Sequence, residues 1–169
     1  LGGIIANASG ATADTFAAAN LFIPLNITTY KWDKGPKGEI QTGGGLWLRP
    51  RDMAKFGQLF LNKGLWNGNR VVSEEWVNHS TAKHVPFSSS GDYPQRTGYG
   101  YQWWWSAFKV NGNVYEAYHA LGWGGQIIFV FDQLKMVVVF TGGDYLNQNW
   151  QGLYYINNFV LPAMLAAIP

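Results

Sequence analysis

The chain has 169 residues, of which 47% are hydrophobic and 13% are charged, with a formal net charge of +2. This length fits one domain with a sizeable core. We expect no binding to nucleic acid, because Lys and Arg residues form no cluster longer than two. The absence of cysteine excludes disulfides and thiolate chemistry. No signal peptide is recognisable, and Asn and Pro interrupt the apolar segment 153–169, so we expect no membrane span.

Helix signals dominate the first half of the chain. The first eight residues predict an apolar helix, and Thr12 and Pro24 bound a second helix. The clearest helix begins at Pro50 and ends at Gly64, with its apolar residues at helical spacing on one face. Ser73 caps a further short helix. These amphipathic patterns predict helices that pack one face against a core.

The second half of the chain predicts strands. After a polar loop over 88–98, aromatic and β-branched residues recur at the period of two that is typical of strands. The predicted strands cover about Tyr99–Ser106, Val114–Leu121, Gly125–Phe131 and Lys135–Thr141. Their short connections, such as the turn at Asn111-Gly112, require antiparallel pairing. Because the last two strands are apolar at nearly every position, helices should cover both faces. We therefore predict a single α+β domain with an antiparallel sheet of about three to four strands, layered with helices that include a C-terminal helix from about residue 150 to 167.

The segment Trp123-Gly124-Gly125-Gln126 interrupts this strand region with small residues. Glycines within a strand mark either a β-bulge or a place where a ligand or another backbone comes close. Taken alone, the segment favours the bulge. The rest of the chain gives it a second interpretation.

Several spaced segments together resemble one known family. In chain order they are Gly10-x-Thr12, Phe16, Leu21-Phe22-x-Pro24-Leu25-Asn26-Ile27, Gly43-Gly44-Gly45-Leu46, Arg51-Asp52-Met53-Ala54-Lys55-Phe56-Gly57, Tyr99-Gly100-Tyr101-x-Trp103-Trp104, Gly122-Trp123-Gly124-Gly125-Gln126 and Val137-Val138-Val139-Phe140-Thr141. They resemble the β-lactamase-related serine hydrolases, which include class C β-lactamases, penicillin-binding esterases and 6-aminohexanoate-dimer hydrolases. Asn26 stands where relatives usually have Gly, and Asn tolerates the left-handed conformation.

The resemblance implies a β-lactamase-like fold and acyl-enzyme chemistry on a small ester, amide or β-lactam, without a cofactor. Such enzymes carry a Ser-x-x-Lys motif, a Tyr-x-Asn motif and a third motif on a sheet strand. Trp123-Gly124-Gly125 matches the esterase-like form of the third motif, so these residues should contact substrate. The backbone N–H of Gln126 would then be one donor of the oxyanion hole. Relatives are often exported, which suggests a periplasmic or secreted protein.

The first two motifs have no convincing match in the chain. Ser80-Thr81-Ala82-Lys83 fits the first pattern by its letters, but it lies at a helix downstream of where the family places the nucleophile. Tyr154-Tyr155-Ile156-Asn157 has the wrong spacing for the second. We therefore expect residues 1–169 to be the C-terminal portion of a β-lactamase/transpeptidase-like domain, an incomplete version of the family fold. Its nucleophile would lie outside the chain, which would be inactive alone.

The histidines predict no metal site, because His79, His84 and His119 lack ligand spacing. His119, on the strand before the motif, either borders the substrate cleft or is a strand residue with one hydrogen bond.

Two further expectations concern binding. The many Trp and Tyr residues leave open an alternative function, in which the chain is a non-catalytic module that binds glycans or peptidoglycan, or a regulatory homologue. Because relatives build their sheet from strands at both chain ends, an exposed sheet edge should favour a homodimer.

Overall fold

The computed structural model describes residues 1–88, 94–146 and 150–167. Its strands are β1 (Tyr30–Trp32), β2 (Leu46–Leu48), β3 (Leu65–Trp66), β4 (Asn69–Arg70), β5 (Val85–Pro86), β6 (Gln95–Tyr99), β7 (Trp104–Val110), β8 (Asn113–Gly122), β9 (Gln126–Phe131) and β10 (Met136–Phe140). Its helices are α1 (Gly2–Ser9), α2 (Ala13–Ala17), α3 (Pro50–Leu61), α4 (Glu74–Thr81), α5 (Trp150–Tyr155) and α6 (Leu161–Ala166). One π-helical turn, Ala18–Phe22, continues α2, and another, Ile156–Val160, joins α5 to α6.

An antiparallel sheet of six strands organises the molecule, in the order β10-β9-β8-β7-β6-β5. Each strand pairs with its neighbour in sequence, so the sheet is a meander. The hairpins β1-β2 and β3-β4 form two small separate sheets. The fold is therefore α+β, as predicted.

Helices cover both faces of the central strands. On one face, Phe108 and Phe129 pack with Leu153 and Ile156 of the C-terminal helical segment, and all four side chains are fully or almost fully buried. On the other face, β8 and β9 pack against a cluster that includes Phe60 of α3. This arrangement confirms the prediction from the apolar runs. Burial of each large side chain contributes about 1.5–3 kcal/mol relative to exposure.

The sheet has more strands than the three to four predicted. The expected strand 99–106 is two strands, since β6 ends at Tyr99 and β7 begins at Trp104. A tight turn separates them, in which the N–H of Gly100 donates to the carbonyl of Trp103 at 2.7 Å. Aromatic residues continue through this turn, so the period of two conceals it. The loop expected over 88–98 is a strand from Gln95 onward, and residues 89–93 lie outside the described residues.

Local signals at Ser73, Asn26 and Asn111 are confirmed, whereas Thr12 precedes α2 without a capping hydrogen bond from its side chain. Ser73 accepts a hydrogen bond from the N–H of Trp76 at 3.1 Å, which caps α4. Asn26 has a φ of 51°, so it adopts the left-handed conformation expected where relatives carry Gly. Asn111 and Gly112 have φ angles of 51° and 81°, as their hairpin turn requires. Among the described residues, no helix has both the length and the apolar character to cross a bilayer.

Candidate functional site

The Trp123–Gly125 segment is a three-residue loop that joins β8 to β9. Gly122 and Gln126 form the last pair of the two strands, and the N–H of Gly125 donates to the carbonyl of Gly122 at 3.3 Å. Gly124 and Gly125 have φ angles of 88° and 95°. Side chains disfavour such angles, so the loop needs glycine at both positions. The segment is thus a tight hairpin turn, and the interpretation of a bulge within a strand is wrong.

A backbone junction holds this loop against the segment that follows β10. A Cβ atom added at Gly142 would collide with the carbonyl oxygen of Gly124. The N–H of Asp144 donates to the same oxygen at 3.2 Å, and Nε2 of Gln126 donates to the carbonyl of Gly142 at 2.9 Å. The ring of Tyr145 lies 2.6 Å from where a Cβ of Gly124 would be. The orientation of the loop therefore depends on this contact.

Asp144 connects the junction to the C-terminal helical segment. Its Oδ1 accepts a hydrogen bond from the N–H of Leu146 at 3.3 Å, and its Oδ2 accepts one from Nε2 of Gln151 in α5 at 3.2 Å. No role for Gly142 was predicted from the sequence. The signal that could have identified Gly142 is its place in a glycine pair directly after a strand.

The last residues of β8 present an open backbone edge beside the loop. Pairing between β7 and β8 ends at Trp104 and His119, whereas pairing between β8 and β9 continues to Gly122 and Gln126. Within the described part of the chain, segment 120–122 therefore has a neighbouring strand on one side only. Trp123, next to this edge, is 67% exposed. An extended acyl group could lie along this edge and bring its carbonyl close to the loop.

The cleft at the junction is small. It has a volume of about 120 Å³, and its walls include Gly124, Gly142, Phe140 and Tyr155. Ligand sites usually measure roughly 300–1,000 Å³, so this cleft is one wall of a site at most. A larger cleft, of about 470 Å³, is lined by none of the loop residues. We place the candidate site at the loop because the open strand edge and the glycine turn occur there.

His119 lies inside the protein and not at the surface. Its side chain is fully buried, with its ring centroid 4.9 Å from that of Phe129. Its Nε2 and the hydroxyl of Ser106 share a hydrogen bond of 3.0 Å. This agrees with a strand residue that has one hydrogen bond, whereas the expectation that His119 borders a cleft does not fit its position. Burial, with a smaller effect from the positive charge of Arg96, lowers the pKa of His119 to about 3.

The Ser-x-x-Lys pattern does not bring a hydroxyl and an amine together. Ser80 is buried, and its hydroxyl donates to the carbonyl of Val77 at 3.2 Å. Lys83 forms an ion pair of 2.6 Å with Glu116 and lies 4.7 Å from the ring centroid of Trp105. Both groups therefore have other partners, which supports a structural role for this pattern.

Trp103 and Trp105 make packing contacts with the helices. Trp103 is 4% exposed and packs against Phe60, with ring centroids 4.6 Å apart. Nε1 of Trp105 donates to the carbonyl of Thr81 at 2.6 Å. These contacts stabilise the packing of α3 and α4 on the sheet. As for metals, no group of three or more His, Asp or Glu side chains could hold an ion among the residues described.

Solved structures share this fold, although no family model matches the chain. A protein from Bacillus anthracis assigned as a 6-aminohexanoate-dimer hydrolase has a TM-score of 0.76 and 22% identity, over 99% of this chain and 42% of that chain. The octameric penicillin-binding protein homologue from Pyrococcus abyssi has a TM-score of 0.69 and 16% identity, over 98% of this chain and 40% of that chain. A Bacteroides dorei protein assigned as a β-lactamase has a TM-score of 0.63 and 16% identity, over 98% of this chain and 54% of that chain.

These likenesses define the class of fold. The chain has the β-lactamase-like fold that these hydrolases and penicillin-binding protein homologues share. It spans between 40% and 54% of the length of the three proteins.

Gly142 provides a test of the backbone junction. We expect Gly142→Ala to lower the free energy of unfolding by about 1–3 kcal/mol, because the added methyl group overpacks a rigid backbone contact. Gly143→Ala is the matched control, since among the described residues no atom outside its chain neighbours lies within 4 Å of its Cβ position. Urea denaturation of the unmodified chain and the two variants measures the differences in the free energy of unfolding. Equal stability of the two variants would contradict the contact.

His119 predicts a pH dependence of stability. Its ordinary pKa is 6.5 and its pKa in the folded protein is about 3, so the unfolded state binds the proton first. The stabilisation is complete above pH 6.5 and decreases as the pH falls towards 3, by at most about 1.4 kcal/mol per pH unit. We expect His119→Gln to flatten the curve of stability against pH between pH 6.5 and 5 in denaturant titrations. An unaltered slope in His119→Gln would refute the assignment.

Proposed function

We propose that this chain is the C-terminal part of a serine hydrolase that cleaves an ester, amide or β-lactam bond through an acyl-enzyme. The observation that carries the proposal is the open edge of β8 ending at a glycine loop, within a β-lactamase-like fold. The small volume of the cleft supports a site that needs further walls from residues outside this chain.

In the proposed reaction, the substrate carbonyl lies along segment 120–122 and its oxygen approaches the loop. A serine hydroxyl from outside the chain attacks the carbonyl carbon, its proton passes to a neighbouring base, and the carbonyl oxygen gains negative charge. The N–H of Gln126 and the N–H of the nucleophile then stabilise that charge, and each such donor is worth about 3 kcal/mol. The leaving group departs with a proton, and water hydrolyses the acyl-enzyme.

The residues in the loop and in the adjoining strands have different roles in this proposal. Gly124 and Gly125 permit the two positive φ angles that turn the chain at the end of the strand edge. The exposed ring of Trp123 contacts the substrate at the mouth of the site. The hydrogen bond from the side chain of Gln126 to Gly142 fixes the direction of the neighbouring backbone. His119 is too deeply buried to contact substrate and supports β8 from within.

Hydrolysis assays on two proteins test the proposal. We expect that the 169-residue chain does not hydrolyse p-nitrophenyl acetate or nitrocefin. The longer protein, encoded by the longest reading frame that contains this chain, should hydrolyse at least one of them. In that longer protein, Ser80→Ala should leave kcat/KM unchanged, because its hydroxyl is buried in a helix. Turnover by the short chain that Ser80→Ala abolishes would overturn the proposal.

We further propose that the free edge of β10 pairs with a second copy of the 169-residue chain. Within the described residues β10 has only β9 as a neighbour, and unpaired edges favour association. Exposed aromatic rings lie beside this strand, since Phe140 stacks on Tyr155 at 6.2 Å and Tyr155 contacts Phe159 at 6.0 Å. These rings would extend the interface.

Light scattering across a concentration series tests this pairing. We expect the mass to rise from one chain towards two as the concentration increases. Phe159→Lys should weaken the dimer by placing a charge in the aromatic contact, whereas Val114→Lys, at an exposed position of β8, should not. A constant monomer mass at all concentrations would rule the dimer out.

A further inference from the structure

A second cleft lies between the helical segment that follows α2 and the β3-β4 hairpin. Its volume is about 470 Å³, within the roughly 300–1,000 Å³ that ligand sites occupy. The lining residues are Ala19, Asn20, Pro24, Trp66, Asn67, Asn69, Arg70 and Val71. None of them belongs to the loop that joins β8 to β9, so an inference from this cleft is independent of the proposed function.

The hairpin wall of the cleft is well supported. The N–H of Val71 donates to the carbonyl of Gly64 at 2.9 Å, and the N–H of Gly64 donates to the carbonyl of Leu59 at the end of α3 at 2.8 Å. Trp66 packs against the cluster that contains the fully buried Leu59. Nη1 of Arg70 donates to the carbonyls of Lys63 and Val72. The indole and the amides are therefore presented by a fixed backbone.

The lining chemistry restricts the ligand. Among the described residues, no carboxylate lines the cleft, which disfavours a cation, and the one cationic side chain in the lining, Arg70, already binds carbonyl groups. Asn20, Asn67 and Asn69 are exposed. Nδ2 of Asn20 donates to the carbonyl of Phe16 at 2.9 Å, and Nδ2 of Asn69 donates to the carbonyl of Asn67 at 3.5 Å. Each amide also has a second N–H and an oxygen, which can donate to and accept from a ligand. Trp66 adds a flat apolar ring. A matching ligand is neutral, rich in hydroxyl groups, and has one flat apolar face.

We propose that this cleft binds a neutral oligosaccharide built of pyranose rings with equatorial substituents. Such a ring presents its axial C–H groups as a flat apolar face, which stacks on the indole of Trp66. Its equatorial hydroxyl or acetamido groups point outward, towards the amides of Asn20 and Asn69.

Titration of the 169-residue chain with cellotetraose and with chitotetraose, followed by 1H–15N NMR, tests the proposal. The first sugar offers hydroxyl groups alone and the second adds acetamido groups, so the two arms distinguish which group the amides recognise. We expect shifts of the side-chain N–H signals of Trp66, Asn20 and Asn69 with at least one sugar. The double substitution Asn20→Ala/Asn69→Ala should raise the Kd about tenfold through the lost hydrogen bonds.

Matched controls separate this cleft from other exposed aromatic residues. Trp66→Leu should abolish binding, whereas Trp76→Leu should leave the Kd unchanged, because Trp76 is a more exposed indole on α4, away from the cleft. The double Asn variant changes exposed side chains only, so it remains informative if Trp66→Leu fails to fold. The proposal is overturned if neither sugar causes shifts, or if binding survives the double Asn substitution and is lost in Trp76→Leu.

Discussion

The contact between Gly142 and the carbonyl of Gly124 is the constraint on which the candidate site depends. At this point two backbones meet without side chains between them, and the hydrogen bonds from Asp144 and Gln126 hold them together. The loop after β8 can therefore adopt two consecutive positive φ angles and still have a fixed orientation. A backbone N–H can act as an oxyanion donor only if its direction is set before the substrate arrives.

This constraint explains how the sheet and the site are linked. β9 is buried and β10 is half-buried between two helical layers, which makes the segment after β10 a rigid support for the loop. Asp144 extends the support to Gln151 in α5. The site edge of β8 is in turn free because β7 stops pairing at Trp104. A stable core thus carries an open strand edge, an arrangement that suits a substrate bound along a strand.

Sequence reasoning predicted the features that local chemistry controls. The caps and turns at Ser73, Asn26 and Asn111 were predictable because each residue type satisfies a specific backbone requirement. The covered faces of β9 followed from its continuous apolar run. The turn after Tyr99 was missed because Tyr101 and Trp103 continue the aromatic pattern through it. The burial of His119 and the contact at Gly142 depend on residues distant in sequence, so no local pattern could reveal them.

Identification of the reactive serine tests the central claim most directly. The protein encoded by the full reading frame that contains this chain would be treated with a fluorophosphonate probe, which labels activated serines. Mass spectrometry would then locate the modified peptide. The account predicts one labelled serine outside the 169 residues, in a Ser-x-x-Lys motif. A label on Ser80, or on any other serine of this chain, would contradict it.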